Sequence, residues 1–285
     1  MKTIKLNNGV EMPILGYGVY QITPEETEQC VLDALSTGYR AIDTAQAYYN
    51  EEAVGSAVKK SGIAREDLFL TTKVWISNSG YERAKASIDE SLRKLQTEYI
   101  DLLLIHQPFG DYYGTYRAME DAYRQGKVRA IGLSNFFADR FIDLVEHVEI
   151  KPAINQMETH VFNQQVRLQD TIKEYGTFLE SWGPLAQGQN NIFSNELLTA
   201  IGNKYKKSVA QVGLRFLIQR DIVIIPKSVK KERMIENLNV FDFFLSDQEM
   251  QQISALDEGK SLFVDHTDPE TVRFLLNYEK NQNKS

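Results

Sequence analysis

The sequence of 285 residues has one cysteine, four histidines and seven prolines, and it has no surplus of positive charge. Each scarcity excludes something. With Cys30 alone there is no intrachain disulfide and no thiolate metal site, and its place in an amphipathic helical run makes it a core thiol. His106, His147, His160 and His266 form neither HxH nor HExxH, which disfavours a hydrolytic zinc site, and no nucleophile elbow supports serine chemistry. A net charge of −7 argues against a nucleic-acid binder, which needs a basic face. No run approaches the ~18 apolar residues of a membrane span. Met1-Lys2-Thr3-Ile4-Lys5 is followed by polar Asn7-Asn8 and not by an apolar segment, so no signal peptide is read there. A cytoplasmic monomer acting on small molecules is the expectation.

What the chain does have is core material: 42% apolar, 11% aromatic and 25% charged residues. Asn8-Gly9 between Ile4, Leu6 and Val10, Met12 predicts a hairpin within residues 3–19. Gly16-Tyr17-Gly18 lacks the third glycine of a dinucleotide fingerprint, although such a pair can let a backbone approach a ligand.

Helix and strand signals then alternate. Thr23-Pro24-Glu25-Glu26 opens a helix that closes near Gly38. Apolar strands are predicted at 39–44, 68–74, 100–106, 128–135, 153–158, 177–182, 222–228 and 240–244, each separated from the next by a helical pattern. Ser246-Asp247-Gln248-Glu249 is a capping box for a terminal helix. Continuous apolar strands fit a parallel sheet covered by helices, and eight units without a composition break predict one (β/α)8 TIM barrel domain over residues 1–285. It carries an N-terminal hairpin and a C-terminal helix and tail. An open doubly wound sheet is the alternative fold.

In such barrels function gathers where strands end. Those positions hold Asp43 with Tyr48 just beyond, then Lys73, His106, Ser134-Asn135, Asn155-Gln156, Trp182 and Lys227-Ser228. Together they suit proton donation to a bound carbonyl. An isolated tyrosine titrates near ~10, too weakly acidic to protonate a developing alkoxide well, and a neighbouring ammonium lowers that value. Lys73 is the expected ammonium and Asp43 its counter-ion, while His106 could orient the carbonyl oxygen. A structural Asp43–Lys73 pair with an unrelated loop tyrosine fits the same residues. Ser134, Asn135 and Gln156 can bind a carboxamide, and Trp182 offers a face for ring stacking. Residues 226–233 pack Lys227, Lys230, Lys231 and Arg233 together, which suits a phosphate monoester or simply a solvated helix start.

Three stretches, 38–55, 126–136 and 225–237, together resemble the aldo-keto reductases, and the likeness runs from about residue 3 to about residue 275. The resemblance implies a barrel that uses NADPH to reduce aldehydes or ketones. It implies Tyr48 as proton donor with Asp43, Lys73 and His106, and Ser134, Asn135, Gln156 and Trp182 around the nicotinamide. Lys227, Ser228, Arg233 and Asn237 would surround the adenosine 2′-phosphate and adenine. Gly18, Val19 and Leu185 would complete the cofactor contacts. Tyr20, Trp75 and Phe109, with His106, would line the substrate entrance. Trp182-Gly183-Pro184-Leu185 looks most like the bacterial 2,5-diketo-gluconate reductase branch. Gln107, where many relatives have tryptophan, Val161-Phe162 and Thr177-Phe178-Leu179 depart from the pattern and leave the substrate open. A second reading is a nucleotide-binding sensor protein with little turnover.

Overall fold

The computed structural model describes residues 2–278. Strands β1 (Thr3–Lys5) and β2 (Glu11–Pro13) pair antiparallel as the expected hairpin, with Ile4 opposite Met12. The chain then runs through β3 (Tyr17–Gly18), α1 (Pro24–Thr37), β4 (Ala41–Asp43), α2 (Glu51–Lys60), β5 (Phe69–Val74), α3 (Tyr81–Leu95) and β6 (Leu102–Ile105). It continues as α4 (Tyr112–Arg124), β7 (Ile131–Ser134), α5 (Ala138–Val145), β8 (Ile154–Glu158), α6 (Val166–Lys173) and β9 (Phe178–Trp182). The last elements are α7 (Glu196–Tyr205), α8 (Val209–Gln219), β10 (Val223–Ile224), α9 (Lys231–Leu238), α10 (Asp247–Ser254) and α11 (Pro269–Leu276).

Strands β3 to β10 form one parallel sheet in sequence order. Its two ends meet: Leu15 bridges Ile224, the Gly16 amide donates to Ile224 O at 2.8 Å, and the Ile224 amide donates to Ile14 O at 2.9 Å. The fold is a closed (β/α)8 barrel. A Cβ on Gly18 would come within 3.0 Å of Ile225 O, so this glycine permits the seam to close.

The first barrel strand is therefore β3, and residues 240–244, expected as the eighth strand, are loop. Side chains take the carbonyls where the stretch begins: Gln211 Nε2 donates to Asn239 O at 2.8 Å and Arg215 Nη1 to Val240 O at 3.2 Å. Val240 is buried all the same, so its apolar character serves packing beneath α8. Helices α7 and α11, which the sequence pattern did not reveal, start at Asn195 and Asp268 caps.

Local signals set the other helix ends. The Thr23 side chain caps α1, Gly38 ends it at φ +114°, and Ser246 and Glu249 form the capping box of α10. At the amino-terminal side of the barrel, buried Asp101 accepts from Arg65 at 2.6 Å and Arg129 at 2.7 Å. Both carboxylate oxygens are thereby compensated.

Candidate active site

A crevice of about 760 Å3 opens over the carboxyl ends of the strands. Its floor includes Asp43 at the end of β4, whose neighbours in register are Gly18 on β3 and Thr71 on β5. Lys73 projects from β5 and is wholly buried. Its Nζ donates to Asp43 Oδ1 at 2.5 Å, to Thr44 O at 2.9 Å and to the Tyr48 hydroxyl at 3.4 Å.

Tyr48 sits on a single 3₁₀ turn, Gln46–Tyr48, that neighbouring side chains fix on both sides. Gln46 Oε1 accepts from the Trp75 amide at 3.0 Å and from Asn78 Nδ2 at 2.9 Å, and Gln46 Nε2 donates to Ser91 Oγ at 3.1 Å. Asn50 is buried; it accepts from Thr44 Oγ1 at 2.7 Å and donates to Val19 O at 3.1 Å. The phenol is thus held in place before any ligand binds.

The electrostatics of this group differ from the expectation in one respect. Burial raises the Tyr48 hydroxyl, the Lys73 ammonium pulls it back, Asp43 raises it again, and it is pushed up to about 12. The lysine therefore offsets part of the desolvation and does not bring the phenol below its usual value of 10. Burial pulls Lys73 down, but Asp43 and Tyr48 outweigh it and hold the amine above its usual value, as an ammonium. His106 is held well below its usual value, first by burial and then by Lys73, so its imidazole is neutral. Its ring lies edge-on to Tyr48 at 5.5 Å and to Trp75 at 5.0 Å, and its Nδ1 has no partner among the described residues.

Beside these four residues, the Trp182 indole donates to Asn135 Oδ1 at 2.9 Å, and Asn135 Nδ2 donates to His106 O at 3.1 Å and Ser134 Oγ at 3.2 Å. Asn135 adopts φ +64° and ties β7, β9 and the histidine together. Gln156 Nε2 lies 3.0 Å from both Asp43 Oδ2 and Glu180 Oε2. Ser134, Gln156, Trp182 and Leu185 line the crevice, and its far end reaches Lys227 and Arg233. Neither of those cations forms an ion pair among the described residues, whereas Lys231 lies 3.5 Å from Asp33.

Not every expected residue reaches the crevice. Gly18, Tyr20 and Trp75 line it. Val19, Phe109, Ser228 and Asn237 are buried behind its wall. The Val19 amide bonds Asp43 O at 3.1 Å, Phe109 packs with Trp75 and Ile76, and Ser228 Oγ accepts from the Lys230 amide at 3.0 Å. Residues from outside the strand ends supply much of the remaining wall: Leu262, Phe263 and His266 from the loop after α10, and Phe274 and Tyr278 at the carboxyl end. Phe263 lies 5.4 Å from Trp182, and His266 Nε2 lies 2.9 Å from Gln107 Oε1. Among the described residues no group of histidine, cysteine and carboxylate side chains is arranged to hold a metal ion. No helix among them is long and apolar enough to cross a membrane.

The sequence pattern of the Aldo/keto reductase family matches residues 14–258. Glyoxal reductase of Bacillus subtilis (strain 168) is 49% identical over 260 residues, which cover 90% of this chain and 94% of that protein. Methylglyoxal reductase DkgA of Escherichia coli (strain K12) is 40% identical over 265 residues, 92% of this chain and 96% of its own. Among solved structures, an aldo-keto reductase from a Medee basin deep-sea metagenome library superposes with a TM-score of 0.91 at 43% identity, covering 93% of this chain and 98% of the other. An aldo-keto reductase of Bombyx mori in complex with NADP gives 0.89 at 35% identity, covering 94% and 96%. The chain belongs to the aldo/keto reductase family and is an oxidoreductase acting on carbonyl groups.

Proposed function

We propose that this protein reduces small aldehydes and ketones with NADPH, as a monomeric single-domain enzyme of the cytoplasm, and that Tyr48 is the proton donor. The observation that carries this reading is the buried Lys73 ammonium, within hydrogen-bond reach of both Asp43 and the Tyr48 hydroxyl at the base of the crevice. Tyr48 holds its proton across the whole ordinary pH range, and Lys73 stabilises the phenolate left when that proton passes to the carbonyl oxygen. His106, neutral and lining the same crevice, donates a hydrogen bond that orients the carbonyl.

The crevice has the polar and cationic groups that an NADPH molecule needs. Ser134, Asn135 and Gln156 would hold the carboxamide, Trp182 would stack on the ring, and Gly18 and Leu185 would line its path. Lys227 and Arg233, lacking ion-pair partners among the described residues, would take the 2′-phosphate, with Ser228 shaping the turn beneath them and Asn237 packed behind. A bound reduced nicotinamide supplies the hydride for the carbonyl carbon. Tyr20 and Trp75, with Phe109 backing the indole, would flank the substrate.

Names of relatives, glyoxal reductase and methylglyoxal reductase, favour short aldehydes. A panel of carbonyl compounds, followed by NADPH absorbance, tests the reading: consumption of NADPH with small aldehydes supports it. Binding of NADPH without turnover of any member of the panel would favour a nucleotide sensor.

A further inference from the structure

Glu180 is a fully buried carboxyl at the barrel's active-site end that the proposed reaction does not use. It lies on β9 opposite Gln156 on β8 in the sheet register, and its side chain is inaccessible to solvent. Gln156 Nε2 is 3.0 Å from Glu180 Oε2 and 3.0 Å from Asp43 Oδ2. Asp43, a carboxylate paired with the Lys73 ammonium, can only accept, and so decides the chemical identity of the amide end that faces it. Only the NH2 group can donate to it, so the opposite end must be the carbonyl oxygen.

The geometry fixes more than identity. The terminal torsion of a glutamine is broad, and a single hydrogen bond leaves the amide free to swivel about that bond. Here Asp43 takes one hydrogen and Glu180 the other, which sets the amide plane. Oε1 is the only polar atom of the side chain without a hydrogen bond among the described residues, and Gln156 lines the crevice.

We propose that Glu180 is a positioning residue, which with Asp43 holds both amide hydrogens of Gln156 and so presents Gln156 Oε1 as a fixed acceptor for the carboxamide NH2 of the nicotinamide. This rests on the reading of the crevice as a nicotinamide site. Burial and the charge of Asp43 push the Glu180 carboxyl up to about 8, so it is mostly protonated at neutral pH and its acceptor oxygen resembles an amide carbonyl. Glutamine can therefore replace it, whereas leucine keeps the volume and removes the acceptor.

The test is equilibrium binding of NADPH and of its reduced 3-acetylpyridine analogue, whose acetyl group keeps the carbonyl and lacks the NH2 donor. Wild type should prefer NADPH. Glu180→Leu should shrink that preference by about two- to tenfold, the range of one net hydrogen bond, while Glu180→Gln should keep it within about twofold. Glu180→Met serves as a second acceptor-free variant if the leucine protein does not fold. An unchanged preference in the acceptor-free variants, equal losses in them and Glu180→Gln, or no preference in wild type would overturn the inference and leave the reductase reading standing. Failure of wild type to bind NADPH at all would overturn both.

Discussion

The Lys73 ammonium lies 2.5 Å from the Asp43 carboxylate, with the lysine side chain wholly buried and the aspartate side chain 4% exposed. Neither charge has water to fall back on, so removing one strands the other. Asp43→Ala should lower stability by about 3–5 kcal/mol, because the ammonium is left uncompensated. Chemical denaturation checks this, and a loss under about 1 kcal/mol would mean that the lysine is not charged in the fold.

Glu180 gives a pH dependence with a definite sign. Below its usual value of 4.5 the carboxyl is protonated in folded and unfolded chains alike, and it costs nothing. Between 4.5 and about 8 the unfolded chain releases the proton while the barrel keeps it, so stability falls as pH rises and the full cost is present above that window. Between pH 5 and pH 8.5 (roughly that window), Glu180→Gln should lose less stability than wild type, by an amount on the order of 3–5 kcal/mol. Identical pH dependence in denaturant titrations would show that the group is already ionised in the fold.

Arg233 lies at the far end of the crevice, with Lys227 and without an ion-pair partner among the described residues. If it meets the 2′-phosphate, Arg233→Ala should weaken NADPH binding about tenfold or more and leave NADH nearly unchanged, since only the former carries that group. Equal effects on both in a binding titration would make the cluster ordinary solvated surface.

The loop that carries Phe263 to Trp182 is anchored on Glu158 at the end of β8. Glu158 accepts from Ser261 Oγ at 2.5 Å, from the Leu262 amide at 2.8 Å and from His160 at 3.0 Å. Burial raises this carboxyl, but those bonds outweigh it and hold it below its usual value. Glu158→Ala should free the loop and raise KM for aldehydes several-fold, with a smaller change in kcat. Steady-state kinetics showing an unchanged KM would mean that the loop does not contribute to substrate binding.

The sequence carries the barrel and the Asp43–Lys73–His106 arrangement because each lies at the end of a local strand pattern. Where it misleads, the missing information is spatial. Val240-Phe241-Asp242-Phe243-Phe244 is as apolar as a strand, yet Gln211 and Arg215 take the carbonyls of Asn239 and Val240. Tyr17–Gly18 is too short to show a pattern, and only pairing with β4 and closure against residues 224–226 makes it a strand. Phe263, His266 and Tyr278 reach the crevice from far along the chain, and no motif marks them. The neighbours of Tyr48 can be named from the sequence, but burial, which raises its hydroxyl instead of lowering it, is visible only in the fold.

The most direct test of the account is Tyr48→Phe, assayed for aldehyde-dependent NADPH oxidation and, separately, for NADPH affinity. Loss of the proton donor should reduce kcat by about 10²–10⁴-fold and leave the affinity within about twofold of wild type. Turnover comparable to wild type, or affinity lost in step with activity, would contradict the role given to the phenol.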